Sequence, residues 1–537
     1  MPPLDASIEV SEPQLSSFKL TYASMFNPPE EVHAHFEAAV KRLKEKLGNS
    51  CGMIIDNKDV FASRTFDNRS PIDTTCLLAG LQAGGAAHAQ SALRSSKNAW
   101  REWGHAHWRD RVAVVRRAAD KIEERIYELA VATVLNVGKT RLEALGDVQE
   151  GVELLRSACD NMERNNGYIV PLVSETLDGH VVINRSVGKP YGVWLIISPF
   201  NFPVSLTCGP AGAALVTGNT VVTKPSPETA WVVRLLAECF RDAGTPDGVF
   251  NYVTGQNDTF GEALVRRQEW DGITFTGSHR TGMKILRQAA HSRYPKPTIL
   301  EMGGKNAVIV SHHADLQRAA WGITRSGFGA QGQKCSASSR VYVESSVYDE
   351  LVERITDITK SLKVGDPLER DVNLGPVVHQ TAYQNFTEYC AELKQVGTLT
   401  TGGTTLTDGA RARGFFCLPT IAIGVPRGHR LWKHEMFVPI LMVEPVQSLD
   451  EALTLANDTE YGLTGGFFGS CDESQEYLKG IEVGVAYVNR SQGACTGAWP
   501  GYQSFGGWKG SGATGKGTGG PYYLLSYMRE QSQTIVQ

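Results

Sequence analysis

From Gly192 onward, short apolar stretches that read as buried strands alternate with longer stretches of helical period. That rhythm restricts the possible folds more than any other feature of the chain. Residues 193–197 predict a strand, 203–217 a helix, 220–223 a strand, 229–243 a helix, 249–253 a strand, 260–267 a helix and 272–276 a strand. Uniformly apolar strands separated by helices pair in parallel, because each crossover helix returns the chain to the same end of the sheet. The rhythm resumes after Asn306, with strands at 307–310 and 340–343 and helices at 314–327 and 347–362. The expectation is two doubly wound α/β domains that meet near Glu301.

Length supports that division, since 537 residues exceed what one hydrophobic core organises. Lysine and arginine total 53 against 57 acidic residues, which excludes bulk attraction to nucleic acid or to an anionic membrane. No apolar run approaches a membrane span, and residues 1–9 show neither a basic start nor an apolar signal core. Ten cysteines without a Cys-x-x-Cys pair fit neither a disulfide scaffold nor a zinc site, so no metal is expected and a reducing cytoplasm is the expected compartment.

Ahead of the alternation, residues 27–48 predict a helix with Val32, Phe36, Val40, Leu43 and Leu47 on one face. Asn27 is placed to cap it and Gly48 to end it. Further helical zones run from 86 to 136, broken near His105, and from 139 to 165. Residues 168–185 read as a hairpin around Asp178-Gly179. The glycine-rich segment 499–520 reads as a linker or, with its aromatics, a single-strand nucleic-acid segment. Its two lysines and lack of arginine argue against the second.

Several motifs fall where parallel strands end, the edge of such sheets that faces ligands. Ser198-Pro199-Phe200-Asn201-Phe202-Pro203 follows the first strand, and Asn201 is either a loop-stabilising amide or a donor. Lys224 and Ser226 follow the second, where a lysine is either solvated or bonded to a ribose or phosphate. Gly277-Ser278, with Gly282 beyond, joins a strand to a helix and suits a pyrophosphate at the helix N-terminus. Glu301-Met302-Gly303-Gly304 places a carboxylate in a turn, either capping or acting as a base. Cys335, between Lys334 and Ser336 and after a helix-like stretch, is either a small buried hydrophobe or a thiol whose pKa is held down for nucleophilic work.

The set Asn201, Lys224, the Gly277-Ser278 to Gly282 turn, Glu301, Cys335, Glu435-Met436-Phe437 and Phe505-Gly506-Gly507 resembles, in order and spacing, the aldehyde dehydrogenase superfamily. The resemblance covers the chain from about Asn27. It implies a Rossmann-like NAD domain, a catalytic domain and a β oligomerisation flap. The implied divisions are 1–167 for N-terminal helices and the first part of the NAD-binding domain, 168–188 for the oligomerisation hairpin and 189–301 for the nucleotide core. Residues 302–511 would form the catalytic domain and 512–537 a tail joining the flap. Cys335 would attack the aldehyde, Glu301 would activate water, and Asn201 with the Cys335 N–H would stabilise the oxyanion. Ser198, Phe200, Lys224, Ser226, Gly277, Ser278, Gly282, Glu435 and Phe437 would contact NAD, with NADP as an alternative cofactor.

A narrower resemblance, carried by Val364-Gly365-Asp366-Pro367, residues 494–498 and Gly519 to Tyr523, is to the Δ1-pyrroline-5-carboxylate dehydrogenase branch. It implies glutamate γ-semialdehyde as the substrate. Ser336, Gly497 and Ala498 would hold its α-carboxylate, and Phe202 and Phe505 would sandwich its aliphatic part. Two departures stand out. Val438 occupies a glycine position of the family motif, where a positive φ would be costly, and Trp499, Tyr502 and Trp508 are compatible with a larger or aromatic aldehyde. A homodimer or larger homo-oligomer is expected. The rival readings are an acylating enzyme that passes the acyl group to coenzyme A, disfavoured by Glu301, and a non-catalytic dinucleotide-binding scaffold, disfavoured by Cys335, Glu301 and Asn201 together.

Overall fold

The computed structural model describes residues 28–491 and 499–537. Two seven-stranded sheets organise the chain. In the first, the parallel strands Thr298–Glu301, Gly272–Thr276, Val193–Ser198, Thr220–Pro225 and Phe250–Tyr252 lie side by side in that order. The order reverses between Val193–Ser198 and Gly272–Thr276, which opens a crevice at their carboxyl ends. An antiparallel hairpin, Met53–Ile55 with Lys58–Val60, extends the far edge. Burial explains the composition: the strand Val193–Ser198 is covered by helices on both faces, so it needs no polar alternation.

The second sheet runs Thr398–Thr401, Thr420–Ile423, Ile440–Val446, Ser338–Glu344, Asn306–Val310, Thr464–Phe468 and Val485–Val488. All its pairings are parallel except that of the first, edge strand. The chain is therefore α/β with two parallel sheets, as the strand–helix rhythm predicts.

The hairpin around Asp178-Gly179 forms from Glu175–Leu177 and His180–Pro190. The C-terminal strand Met528–Val536 pairs antiparallel with His180–Pro190 from Met528↔Pro190 to Val536↔Val182. The tail does not join this flap along its whole length, however. Tyr523 and Tyr527 are buried in the first domain, where the Tyr527 hydroxyl lies 2.9 Å from Thr274 Oγ1 and its carbonyl accepts from Asn219 Nδ2.

The glycine-rich segment 499–520 is not an open linker: Phe505 and Thr518 form a bridge, and Trp499, Ser511 and Thr518 are buried. The first helix is Glu30–Lys44, its N-cap Pro29 rather than Asn27, which lies outside the described residues. Gly48 follows with φ of +81°. The sequence reading also missed a three-stranded sheet of Ser50–Cys51, Leu77–Gln82 and Thr65–Arg69. Among the described residues no helix is long and apolar enough to cross a membrane.

Candidate active site

The carboxyl ends of the first sheet bring the predicted nucleotide-facing residues to one edge. Lys224, next to last in its strand, is buried, and its ammonium donates to the Pro225 carbonyl and to Asn257 Oδ1. Burial lowers its pKa to about 8 against the pull of Glu228. The Ser226 hydroxyl donates to the Glu228 carboxylate, while its N–H reaches the Ser198 carbonyl at 3.0 Å and so links the first two strand ends. Ser198 Oγ in turn accepts from Thr207.

Ser278 caps the helix His279–Ala290, its hydroxyl accepting from the Thr281 N–H. The N-terminus of that helix sits at the strand end, with the partial positive charge that suits a phosphate. Gly277 bonds through its N–H to the Glu301 carbonyl. At Gly282 an added methyl would lie 2.4 Å from the Met302 sulfur, so glycine allows the helix to lie close against the next strand. The residues present therefore fit a dinucleotide, whose pyrophosphate would lie at this helix and whose adenosine ribose would lie near Lys224.

The chemistry-bearing residues gather between the two sheets. Glu301 ends its strand almost fully buried, and one carboxylate oxygen, Oε2, has no hydrogen-bond partner. Burial pushes its pKa well above the carboxylate range, and a bond from the Gly507 N–H only partly offsets this. Three residues on, Gly304 abuts the nucleophile turn: a methyl there would lie 2.4 Å from the Cys335 carbonyl. That carbonyl accepts from Asn306 Nδ2 at 2.6 Å, and the same amide also holds Ala337. Cys335 is partly exposed and packs against the cluster of Leu154, Leu463, Val485 and Phe505.

Asn201 approaches from the other domain. It is buried, and its Nδ2 donates to the Gln333 carbonyl at 2.9 Å, which fixes the amide plane two residues before Cys335. The Cys335 turn is itself held under strain. Ala330 and Gln331 have φ of 48° and 59°, and Gly332 follows at 67°. Left-handed backbone costs a non-glycine residue about 1–2 kcal/mol. The offsetting contacts come largely from the helix–helix turn at 138–143: the Glu143 carboxylate accepts from the Ala330 N–H at 2.7 Å, and Gln331 Nε2 donates to the Gly138 carbonyl at 2.9 Å. Gln333 adds a bond from the Val378 N–H to its side-chain oxygen.

Glu143, Gln331, Gln333 and Asn306 were missed by the sequence reading. The small residues around Cys335 signal a turn, but nothing in them says which distant groups hold it. The helix-like stretch before Cys335 is Leu316–Phe328, and its C-terminal end is the one nearer the thiol. That end carries partial negative charge, so the helix dipole gives no help to a thiolate.

Glu435 Oε1 accepts from the Gly304 N–H at 2.8 Å, and burial raises its pKa to about 7. The rings of Phe200 and Phe437 meet edge to face with centroids 5.8 Å apart. Positive φ does occur in this loop, but at Phe437 (56°) and not at Val438, so the strain expected of Val438 falls one residue earlier.

Phe505 shares the cluster that Cys335 packs against. Phe202 is half-buried, with the fully buried Lys139 ammonium 3.5 Å from its ring centroid. Ser336 is buried, and its carbonyl accepts from Thr464. Gly497 and Ala498 lie outside the described residues. Of the flanking aromatics, Trp499 is buried, whereas Tyr502 and Trp508 lie largely on the surface.

The strained turn before Cys335, the Asn201 amide bonded into it and the buried Glu301 carboxylate three residues before Gly304 are chemistry that a covalent oxidation beside a dinucleotide could use. The chain belongs to the aldehyde dehydrogenase family, whose model matches residues 60–533. It is 36% identical over 505 residues to the 1-pyrroline-5-carboxylate dehydrogenase of Geobacillus sp. (strain WCH70), covering 93% of this chain and 95% of that one. It is likewise 36% identical over 516 residues to 1-pyrroline-5-carboxylate dehydrogenase 2 of Bacillus subtilis (strain 168), covering 95% and 97%. A solved 1-pyrroline-5-carboxylate dehydrogenase from Thermus with bound NAD superposes with a TM-score of 0.90 at 31% identity, over 98% of this chain and 99% of that one.

Proposed function

We propose that this chain oxidises L-glutamate γ-semialdehyde to glutamate, with NAD as the hydride acceptor. The observation that supports the reading is the Asn201 amide bonded to the Gln333 carbonyl two residues before Cys335, in a chain whose relatives bear the pyrroline-5-carboxylate dehydrogenase name. The Cys335 thiolate adds to the aldehyde carbon, forming a C–S bond and an oxyanion. Asn201 has a second Nδ2 proton beyond the one given to Gln333, and with the Cys335 N–H it receives that charge. Lys224, Gly277, Ser278 and Gly282 would hold NAD along their edge, where it would supply the hydride acceptor. Loss of hydride from the thiohemiacetal leaves a thioester on Cys335. Glu301 takes a proton from water as the water attacks that thioester, and the C–S bond breaks to release carboxylate and thiol.

In this reading Phe202 and Phe505 flank the aliphatic part of the substrate, and Ser336 with Gly497 and Ala498 binds its α-carboxylate through neutral donors. Phe200, Glu435 and Phe437 contact the nicotinamide ribose, and Ser198, Ser226, Gly277 and Ser278 complete the cofactor edge. We assign 189–301 to the nucleotide core and 302–511 to the catalytic domain. The flap, with exposed Val173, Leu177 and Val536, would form the subunit interface of a homodimer or larger homo-oligomer in the cytoplasm.

A spectrophotometric panel of aldehydes with NAD and with NADP tests the substrate and the cofactor. Glutamate γ-semialdehyde with NAD should give the highest kcat/KM. A wide margin in favour of simple aliphatic or aromatic aldehydes would overturn the substrate assignment while leaving the family unaffected.

A further inference from the structure

At the far edge of the catalytic domain, away from the cysteine, the chain leaves the strand Asn306–Val310 through Ser311-His312-His313. The two imidazoles stack with centroids 3.8 Å apart, and both side chains are about half exposed. Each ring is oriented by a carboxylate from a different element. His312 Nδ1 meets Glu344 at the end of the strand Ser338–Glu344, and the same carboxylate accepts the His312 N–H at 2.9 Å. His313 Nδ1 lies 3.1 Å from Glu473 Oε1 in the first turn of the helix Cys471–Gly480.

Glu473 is fixed independently of the histidines: its other oxygen accepts from Ser311 Oγ and from the Ser470 N–H, both at 2.8 Å. Although burial opposes ionisation, these bonds and those from the Ser470 hydroxyl and His313 hold its pKa down to about 2. One nitrogen of each histidine and one Glu473 oxygen lie within 4.8 Å of one another.

We propose that His312, His313 and Glu473 form a binding site for a divalent transition-metal ion of the Zn²⁺ or Co²⁺ kind, separate from the catalytic centre. Two imidazoles and a carboxylate are the ligand chemistry such ions take. The 3.1 Å between His313 Nδ1 and Glu473 Oε1 is close to the roughly 3.3 Å that separates two ligands of a tetrahedral ion with bonds near 2.0 Å. The ion takes the place of the proton between these two atoms, and the neutral imidazole keeps that proton on Nε2. His312 supplies the third ligand, Glu344 orients it, and water completes the shell. A bound ion ties together the exit of one central strand, the end of its neighbour and the start of a surface helix, so it stabilises the domain without entering the reaction.

The test is calorimetric titration of the full chain with Co²⁺, with visible absorption recorded in parallel. The expected result is one ion per chain and weak ligand-field bands without thiolate charge transfer. In His312→Ala/His313→Ala, whose changed side chains are exposed, affinity should fall at least about tenfold with aldehyde oxidation unchanged. Absence of Co²⁺ binding to the unaltered chain, equal affinity in the double variant, or a thiolate charge-transfer band that persists in it would overturn the site.

Discussion

Glu301, the proposed base, sits where its charge works against the fold. Its carboxyl lies in a nearly dry position with one oxygen unpartnered, and burial raises its pKa well above the usual value. A group whose folded pKa is raised keeps its proton in the native state and loses it in the unfolded state above about pH 4.3. The native state therefore loses stability as pH rises from that value towards the folded pKa. Glu301→Gln should raise the melting temperature at neutral pH, and calorimetry at pH 5 and pH 7.5 should show the gain growing with pH. The same variant should give a burst of NADH followed by slow release, and in the unaltered chain thioester hydrolysis should slow as pH falls through the raised pKa. An unchanged steady-state rate in Glu301→Gln would remove Glu301 as the base. Asn201→Ala should lower kcat by about 10²–10³ with little change in cofactor affinity, measured by NAD fluorescence titration.

At the scale of elements, the strained arm before Cys335 carries the most weight. Three consecutive left-handed residues are held by Glu143 and Gln331, which join the nucleophile turn to a helix–helix turn of the first domain. Gln331→Ala strands the Gly138 carbonyl and should cost about 1–3 kcal/mol of unfolding free energy in denaturant titration. It should also slow the reaction of Cys335 with iodoacetamide in the native state, because the thiol is no longer held in one orientation. The alternation of apolar strands with helices was legible from Val193 onward because period and burial agree there. The strands at 50–82 were not legible, since they are two to six residues long and a run such as Leu77–Gln82 lacks a clean alternation. Cys335, Glu301 and Asn201 are singled out by the order and spacing of their motifs. Their supports, Asn306, Glu143 and Gln333, are not, because they act through contacts between residues distant in sequence. The cysteine spacing gave no sign of metal ligands, and the proposed His-His-Glu cluster, assembled from one strand exit and one helix start about 160 residues apart, leaves no spacing signature.

For the whole molecule, the C-terminal strand fastens the chain's end to a flap nearly 350 positions earlier, with Ser186 and Glu530 bonded across it. Exposed Val170, Leu172, Val173, Leu177, Val181 and Val536 lie on this small sheet and its connecting loop. Val173→Asp combined with Val536→Asp should shift the chain towards monomer in sedimentation velocity while each monomer still binds NAD. A dimer unchanged by both substitutions would place the interface elsewhere.

An acyl group carried by Cys335 and released through Glu301 is the central step of the proposed reaction. Intact and peptide mass spectrometry of Glu301→Gln, mixed with glutamate γ-semialdehyde and NAD and quenched in acid, tests this most directly. The account predicts a glutamyl thioester on the peptide containing Cys335, formed only when NAD is present. No adduct, or one on another cysteine, would contradict it.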